Sequence, residues 1–349
     1  MRIFDNPHFD AHESVVFVHD ARTGLRAIIA IHDTRLGPAA GGCRFWNYES
    51  EDAAIADVLR LSRGMTYKNA VAGLDLGGGK SVIIGDPRAI KTPQLMRAFG
   101  RSVERLGGAY TTAEDVGVDV EDMEHVRETT RHVAGLAHGA HASGDPSPTT
   151  AKGIVNGLRR AVAQRLNRDD LGGLLVAVQG LGHVGWHVCS RLHEGGAKLI
   201  VSDIDAARVE RAVSEFGATA CAAEAVLSVE ADVFAPCALG AVLNARSIPA
   251  LRVAIVAGAA NNQLEDIADA DRLHARGILY VPDFAINAGG IISVSREIAG
   301  VADPDWIAGR MHQLDANIAA ILAEAEAERV SPHHIAMRFA ERRLDAAGR

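Results

Sequence analysis

An apolar run, Leu174-Leu175-Val176-Ala177-Val178-Gln179, ends at Gly180-Leu181-Gly182 and continues through His183 and Val184 to Gly185, where a helix-like stretch begins. Strand, tight turn and helix in that order admit few folds. Glycines at these three places allow a sharp turn, a close approach of ligand to backbone, and tight packing of helix on strand. A second strand-like run over 198–202 ends at Asp203, twenty-three residues after Gly180. A carboxylate there accepts hydrogen bonds from ribose hydroxyls, so the pattern predicts a dinucleotide-binding βαβ unit. Gly180, Leu181, Gly182, His183, Val184 and Gly185 are its cofactor-binding turn, and Asp203 its ribose ligand. The same carboxylate repels a 2′-phosphate, and neither Ile204 nor Asp205 supplies a basic partner, which favours NAD over NADP. A βα turn without a ligand is the competing reading of the glycines alone, and Asp203 counts against it.

Strand-like runs recur near 174–179, 197–202, 218–221, 232–236, 253–258 and 278–282 with helical stretches between most of them. Six such strands predict an α/β fold with a C-terminal Rossmann-type domain, a doubly wound parallel sheet, over 141–330. Residues 1–140 read differently. Residues 14–19 and 25–32 make a hairpin about Arg22-Thr23-Gly24, and a helix capped by Ser50 follows, with Lys68 expected just past its end. Thr92-Pro93 opens another helix. This is a separate N-terminal α/β domain for substrate binding and catalysis, with a cleft expected between the two. The Gly-, Ser-, Asp- and Pro-rich segment 139–148 reads as the hinge. The last helix, about 331–349, is expected to pack back on the first domain.

The run Gly77-Gly78-Gly79-Lys80 makes Lys80 a candidate reactive group, because residues without a Cβ clear space around an ammonium. Lys68 precedes it by twelve positions, and two such cations imply an anionic substrate. A phosphate-binding P-loop would need glycine where Leu74 stands and a helix after Lys80, whereas Ser81-Val82-Ile83-Ile84 reads as a strand. A glycine-rich turn with a solvated lysine is the other alternative.

Composition narrows the partners. The 349 residues are 48% hydrophobic and 23% charged, with a net charge of −8 and no basic run, which argues against nucleic acid and membrane surfaces and for a small molecule. The N-terminus lacks an apolar signal-like core and no run reaches a membrane span, so a cytoplasmic location is expected. The four cysteines have no metal-type spacing and read as free thiols. Among the histidines, His138 and His141 lie in a glycine-containing loop without an acidic partner, so no metal is expected.

Thr112-Ala113-Glu114-Asp115-Val116-Gly117 places carboxylates after a short apolar stretch, where one could carry protons or merely cap a helix. Together with Gly37-Pro38-Ala39-Ala40-Gly41-Gly42, Met65-Thr66-Tyr67-Lys68-Asn69, Gly77-Gly78-Gly79-Lys80, Gly258-Ala259-Ala260-Asn261-Asn262 and Pro282-Asp283-Phe284-Ala285-Ile286-Asn287-Ala288-Gly289-Gly290, it resembles the glutamate/leucine/phenylalanine/valine dehydrogenase family. The resemblance spans nearly the whole chain in the family's order. It implies reversible NAD-dependent oxidative deamination of an L-amino acid to its 2-oxo acid and ammonia, in a homo-oligomer. Lys80 would be the catalytic lysine and Asp115 the proton carrier. Lys68 would bind the substrate α-carboxylate with help from Asn287, beside Gly41, while Thr150 and Asn261 would contact the nicotinamide end.

In glutamate-specific members the position of Ala40 usually carries a lysine. Here that position and the others that resemble pocket-lining ones, Met65, Ala113, Ile291 and Val294, are apolar, and burying a substrate carboxylate among them would cost several kcal/mol. The stretch 65–86 is similar to leucine-type members, which implies branched-chain amino acids. The small Ala40 departs from them toward a roomier wall and keeps phenylalanine as the alternative. A non-catalytic dinucleotide sensor would have no use for Lys68, Lys80 and Asp115 together.

Overall fold

The computed structural model describes residues 3–348 except 140, 141 and 239, so His141 lies outside the described residues. The chain forms two compact units: Met1–Pro146, Ile291–Arg310 and Ala340–Arg349 make the first, Ser147–Gly290 and Met311–Phe339 the second. The sequence predicts a boundary at 140/141 and assigns everything to 330 to the dinucleotide domain. The chain instead changes unit at Pro146, and Ile291–Arg310 belongs with the first unit. Of the final helix, only Ala340 onward is grouped there.

In the first unit β1 (Ser14–Asp20) and β2 (Leu25–Asp33) form the expected antiparallel hairpin. There follow β3 (Ala39–Trp46), α1 (Glu51–Val71), β4 (Gly77–Ile84), α2 (Pro87–Ile90), α3 (Pro93–Glu104), β5 (Tyr110–Glu114) and α4 (Val120–Arg127). The sheet order is β1-β2-β4-β3-β5, with β3 parallel to both β4 and β5. Ile28, Ala30 and Val82 pack one face against Ala54, Val58 and Leu59 of α1. Ile29, Phe45 and Ile83 pack the other against Leu95, Met96, Phe99 and Val103 of α3.

Ser50 caps α1 as expected, its side chain accepting from the Ala53 N–H. The helix runs to Val71, so Lys68 lies in its last turn and not beyond it. Tertiary bonds hold that turn: Asn69 Nδ2 donates to the Gly77 carbonyl at 2.6 Å, and Arg343 Nη1 donates to the carbonyls of Asn69 and Ala70 at 3.3 and 3.0 Å.

The three glycines lie inside β4, and the room they make is taken by protein. A Cβ at 78 would stand 2.0 Å from Thr66 Oγ1, one at 79 would stand 2.7 Å from the Tyr110 ring, and one at 77 would stand 2.3 Å from the Asp33 carbonyl oxygen. The missing Cβ at 78 lets α1, which carries Lys68, close on the strand that carries Lys80, while those at 77 and 79 make room for the Asp33 backbone and the Tyr110 ring. The expectation that they clear space around the ammonium is corrected accordingly.

The second unit contains α5 (Ser147–Leu166), β6 (Leu175–Gln179), α6 (His183–Glu194), β7 (Lys198–Ser202), α7 (Ala206–Phe216), β8 (Thr219–Ala220), β9 (Val233–Pro236), β10 (Ile255–Val256), α8 (Ala268–Ala275), β11 (Leu279–Tyr280) and α9 (Asp283–Ile286). All six strands pair in parallel in the order β11-β10-β9-β6-β7-β8. Counted within the unit, this is the doubly wound order whose direction reverses between β6 and β9, the switch point where such sheets bind nucleotides. The glycine turn follows β6. Three further helices complete the chain: α10 (Gly289–Ile298), α11 (Trp306–Glu328) and α12 (Pro332–Ala347). Each passes from one unit to the other, which is why no linker composition marks those crossings. Among the described residues, no helix is long and apolar enough to cross a membrane.

Candidate active site

Alternation along β4 puts Lys80 on the face of Val82, toward α1. Lys80 is 6% exposed, and its Nζ lies 2.8 Å from Oδ2 of Asp115, the residue that follows β5. The structure thus brings together the two residues expected to do the chemistry. Arg44 of β3 approaches the same oxygen, Nε to Oδ2, at 3.3 Å. Burial would raise the Asp115 carboxyl, but the Lys80 ammonium and the Arg44 guanidinium outweigh it and hold the group well below the usual carboxylate range. Its neighbour Glu114 goes the other way: burial, then the negative charges of Asp145, Asp119 and Asp115, push it up to about 7.

The remaining candidate substrate-side residues of the first unit are located by their elements. Ala40 and Gly41 are in β3, Ala113 in β5, and Met65 and Lys68 in α1 one turn apart; Ile291 and Val294 lie three apart on one side of α10. Ala40 is fully buried and Ile291 and Val294 nearly so, whereas Met65, Lys68 and Ala113 are half-buried. A Cβ at Gly41 would come within 3.0 Å of Met65 Cγ.

In the second unit the glycine turn has the geometry that a dinucleotide requires. Gly180 has φ +97°, and a Cβ there would stand 2.8 Å from the Ala238 Cβ. At Gly185 a Cβ would stand 2.1 Å from the Gly180 carbonyl oxygen, so this glycine serves the packing of α6. Gly182 is different: its φ is −67° and a Cβ there would meet nothing within 4 Å. Nothing among the described residues requires glycine at 182, so the space beside it fits a ligand. No side chain caps α6, which leaves its first N–H groups for a pyrophosphate. Asp203 Oδ2 accepts from the Leu181 N–H at 2.6 Å and Oδ1 from the Asp205 N–H at 2.9 Å, which fixes the acid beside the turn.

Asn287 Nδ2 donates to Asn261 Oδ1 at 2.8 Å and to the Ala259 carbonyl at 3.1 Å, so two expected site residues are joined directly. Both amide hydrogens are therefore engaged, and the Asn287 role of donating to a substrate carboxylate would require giving one up. Thr150, on α5, sits beside Gly289, where a Cβ would lie 2.8 Å from the Thr150 Cα. Among the described residues no cluster of three or more His, Cys, Asp or Glu could hold a metal, and His138 is exposed.

Arg44, Asp57 and Tyr48 are the site residues that motif reading misses. Arg44 Nη1 donates to Asp57 Oδ2 at 2.9 Å, and the Tyr48 hydroxyl donates to the same oxygen at 2.7 Å. Only the position of Arg44 two residues after Gly42, inside the same strand, hints at it.

A doubly wound nucleotide domain and a buried lysine–aspartate pair in a second domain define a nicotinamide-dependent dehydrogenase. The protein belongs to the glutamate/leucine/phenylalanine/valine dehydrogenase family: residues 12–132 match the Glu/Leu/Phe/Val dehydrogenase dimerisation domain and residues 204–348 the Glutamate/Leucine/Phenylalanine/Valine dehydrogenase domain. It is 47% identical to leucine dehydrogenase of Bacillus cereus over 99% of this chain and 94% of that one. It is 48% identical to leucine dehydrogenase of Geobacillus stearothermophilus, over 99% and 94% of the two chains. The crystal structure of L-tryptophan dehydrogenase from Nostoc punctiforme superposes with a TM-score of 0.81 at 42% identity, covering 97% of each chain. The chain is an amino-acid dehydrogenase that uses NAD, as its motifs imply.

Proposed function

We propose that the protein catalyses the reversible oxidative deamination of leucine and other branched-chain L-amino acids to their 2-oxo acids and ammonia. The observation that carries this reading is the buried Lys80–Asp115 pair at 2.8 Å, in a unit whose candidate side-chain-pocket positions, Ala40, Met65, Ala113, Ile291 and Val294, are all apolar. Its likeness to two leucine dehydrogenases supports the aliphatic side chain.

NAD, when bound, supplies the acceptor for the substrate's α-hydride. Lys68 pairs with the α-carboxylate and sets the substrate's orientation. Asp115, kept anionic, takes a proton from the substrate ammonium. Once the α-carbon is an iminium carbon, Lys80 as amine removes a proton from water while the water oxygen bonds to that carbon. As ammonium, Lys80 then donates a hydrogen bond to the carbinolamine oxygen. Asp115 returns a proton to the nitrogen, the carbon–nitrogen bond breaks, and the hydroxyl proton passes to the departing ammonia as the carbonyl forms, so that ammonium leaves. Lys80 gives its own proton to solvent. One water is consumed and one proton released for each amino acid oxidised.

We further infer that the chain works as a homo-oligomer. The matched dimerisation domain supports this, as does Phe17, 61% exposed on β1 at the edge of the first sheet. Light scattering on the eluting protein gives the mass directly.

The test of the activity is a panel of L-amino acids with NAD, followed at the nicotinamide absorbance. Leucine, valine and isoleucine should give the highest kcat/KM. A preference for phenylalanine would favour the aromatic alternative, and no turnover with any member would overturn the reading.

A further inference from the structure

We propose that Arg44, braced by Asp57 and Tyr48, is a positioning residue that holds the Asp115 carboxylate toward Lys80 and keeps it charged while Lys80 changes protonation state. The inference rests on the reading of Lys80 and Asp115 as the proton-handling pair.

Arg44 is planted in β3 with its side chain 18% exposed, and its guanidinium bridges two carboxylates through different nitrogens. Nη1 binds Asp57 of α1, whose position is held by the Tyr48 hydroxyl on the same oxygen and by Arg60 on the other, at 3.5 Å. Nε is thereby left facing Asp115 Oδ2, the oxygen that Lys80 also contacts. An arginine clamped at one edge can turn little, so the other edge is aimed.

The chemistry explains why two cations are needed. Lys80 must alternate between ammonium and amine, and in the amine form it no longer offsets the burial of Asp115. Among the other described groups that act on that carboxyl are Glu114 and Tyr110 on β5, Tyr48 after β3 and Cys43 beside Arg44, and these four add no positive charge. Without Arg44, a buried carboxyl beside a neutral amine would retain a proton, and Asp115 could not accept one from the substrate. Arginine suits the task because it never gives up its own charge.

The experiment compares Arg44→Met, Arg44→Lys and Asp57→Asn in the full-length enzyme, reading the pH dependence of kcat, KM for leucine, and NAD affinity by fluorescence titration. Arg44→Met should lower kcat at neutral pH by about tenfold or more and move the acidic limb of the profile up by about one pH unit, with NAD affinity unchanged. Arg44→Lys, which keeps the charge, should return the limb close to its original place. Asp57→Asn loosens the clamp that aims Arg44, so the limb should move up in the same direction as in Arg44→Met but by less. A limb that stays put in both Arg44→Met and Asp57→Asn, with kcat scaled equally at every pH, would mean a structural role only and overturn the inference. Should Arg44→Met fail to fold, the displacement in Asp57→Asn still decides. Lys80→Ala serves as the separating control: if it retains turnover the reading of the whole site fails, and if it is inactive while the limbs stay put, only the role of Arg44 fails.

Discussion

Lys80 and Asp115 meet at 2.8 Å although their strands, β4 and β5, do not pair; β3 runs between them. Two glycines of β3 allow this. A Cβ at Gly42 would stand 2.9 Å from the Asp115 Cβ, and one at Gly41 would stand 1.9 Å from the Gly79 carbonyl oxygen. A side chain at either place would have to displace one partner or its strand.

Lys80→Ala and Asp115→Asn should each lower kcat by about 10²–10⁴-fold, the usual scale for one acid or base, and the double variant should be scarcely worse than either. Gly42→Ala leaves both groups in the chain but separates them, so it should also lose turnover while NAD affinity stays near wild type. Multiplying losses in the double variant would mean that the two residues act independently.

Within the nucleotide turn, Gly182→Ala and Gly185→Ala should fail in different ways. Nothing among the described residues opposes a methyl at 182, so that variant should melt near the wild-type temperature and yet bind NAD weakly. The methyl at 185 collides with the Gly180 carbonyl, so that variant should lose stability first. Thermal melts beside NAD titrations separate the two, and equal affinity in Gly182→Ala and wild type would place the cofactor elsewhere.

Acid should weaken the first unit through His32. It is buried against α1, Nδ1 2.8 Å from Thr66 Oγ1, and burial followed by the charge of His12 lowers it to about 4 from 6.5. Between those values the unfolded chain takes up a proton that the folded chain refuses. Stability is therefore intact above about pH 6.5, falls as pH drops toward about 4, and falls no further below it, with about 3 kcal/mol at stake. Glu114 acts in the opposite sense. With its carboxyl pushed up to about 7 from 4.5, the folded state keeps a proton that the unfolded chain has lost, so its cost grows as pH rises through that window. Calorimetric melts across pH should show a flatter acid limb in His32→Gln and a higher Tm above about pH 7 in Glu114→Gln. Curves parallel to wild type would remove either group from the pH response.

Specificity should turn on Ala40. The residue is fully buried, and one methylene in an apolar pocket is worth only about 1–3 kcal/mol, so several aliphatic substrates should be accepted with modest preferences. Ala40→Leu should penalise phenylalanine more than valine, and Ala40→Lys should hurt leucine and favour glutamate relative to wild type. Unchanged kcat/KM ratios in both variants would show that Ala40 does not line the side-chain pocket.

How legible each part was in the sequence follows from the range of the forces involved. The second unit was readable because its sheet is parallel and each strand announces itself as an apolar run; the glycine turn and Asp203 are local chemistry at fixed spacing. The roles of Lys80 and Asp115 were implied only by family resemblance, and their direct pairing is not legible because it depends on two glycines in a third strand. The glycines of β4 misled for the same reason: a missing Cβ signals close approach without saying what approaches, and here it is Thr66 and Tyr110. Arg44, Asp57 and Tyr48 form no motif, and their meeting depends on how α1 lies across the sheet. The change of unit at Pro146 falls in the segment 139–148 read as the hinge, whereas the later crossings lie inside α10, α11 and α12 and leave no linker signal.

Those through-running helices bear on how such a protein can change. Neither unit is one stretch of chain: the second takes Ser147–Gly290 and Met311–Phe339, with a segment of the first unit inserted between. A contiguous exchange, with one crossover at each end, that imports a foreign 147–290 would leave 311–339 descended from the original parent, and the two pieces would have to fit as strangers. Exchange of whole nucleotide modules between lineages is therefore obstructed by connectivity, and new substrate or cofactor preferences in a chain of this design must arise residue by residue, at places such as Ala40 and Asp203.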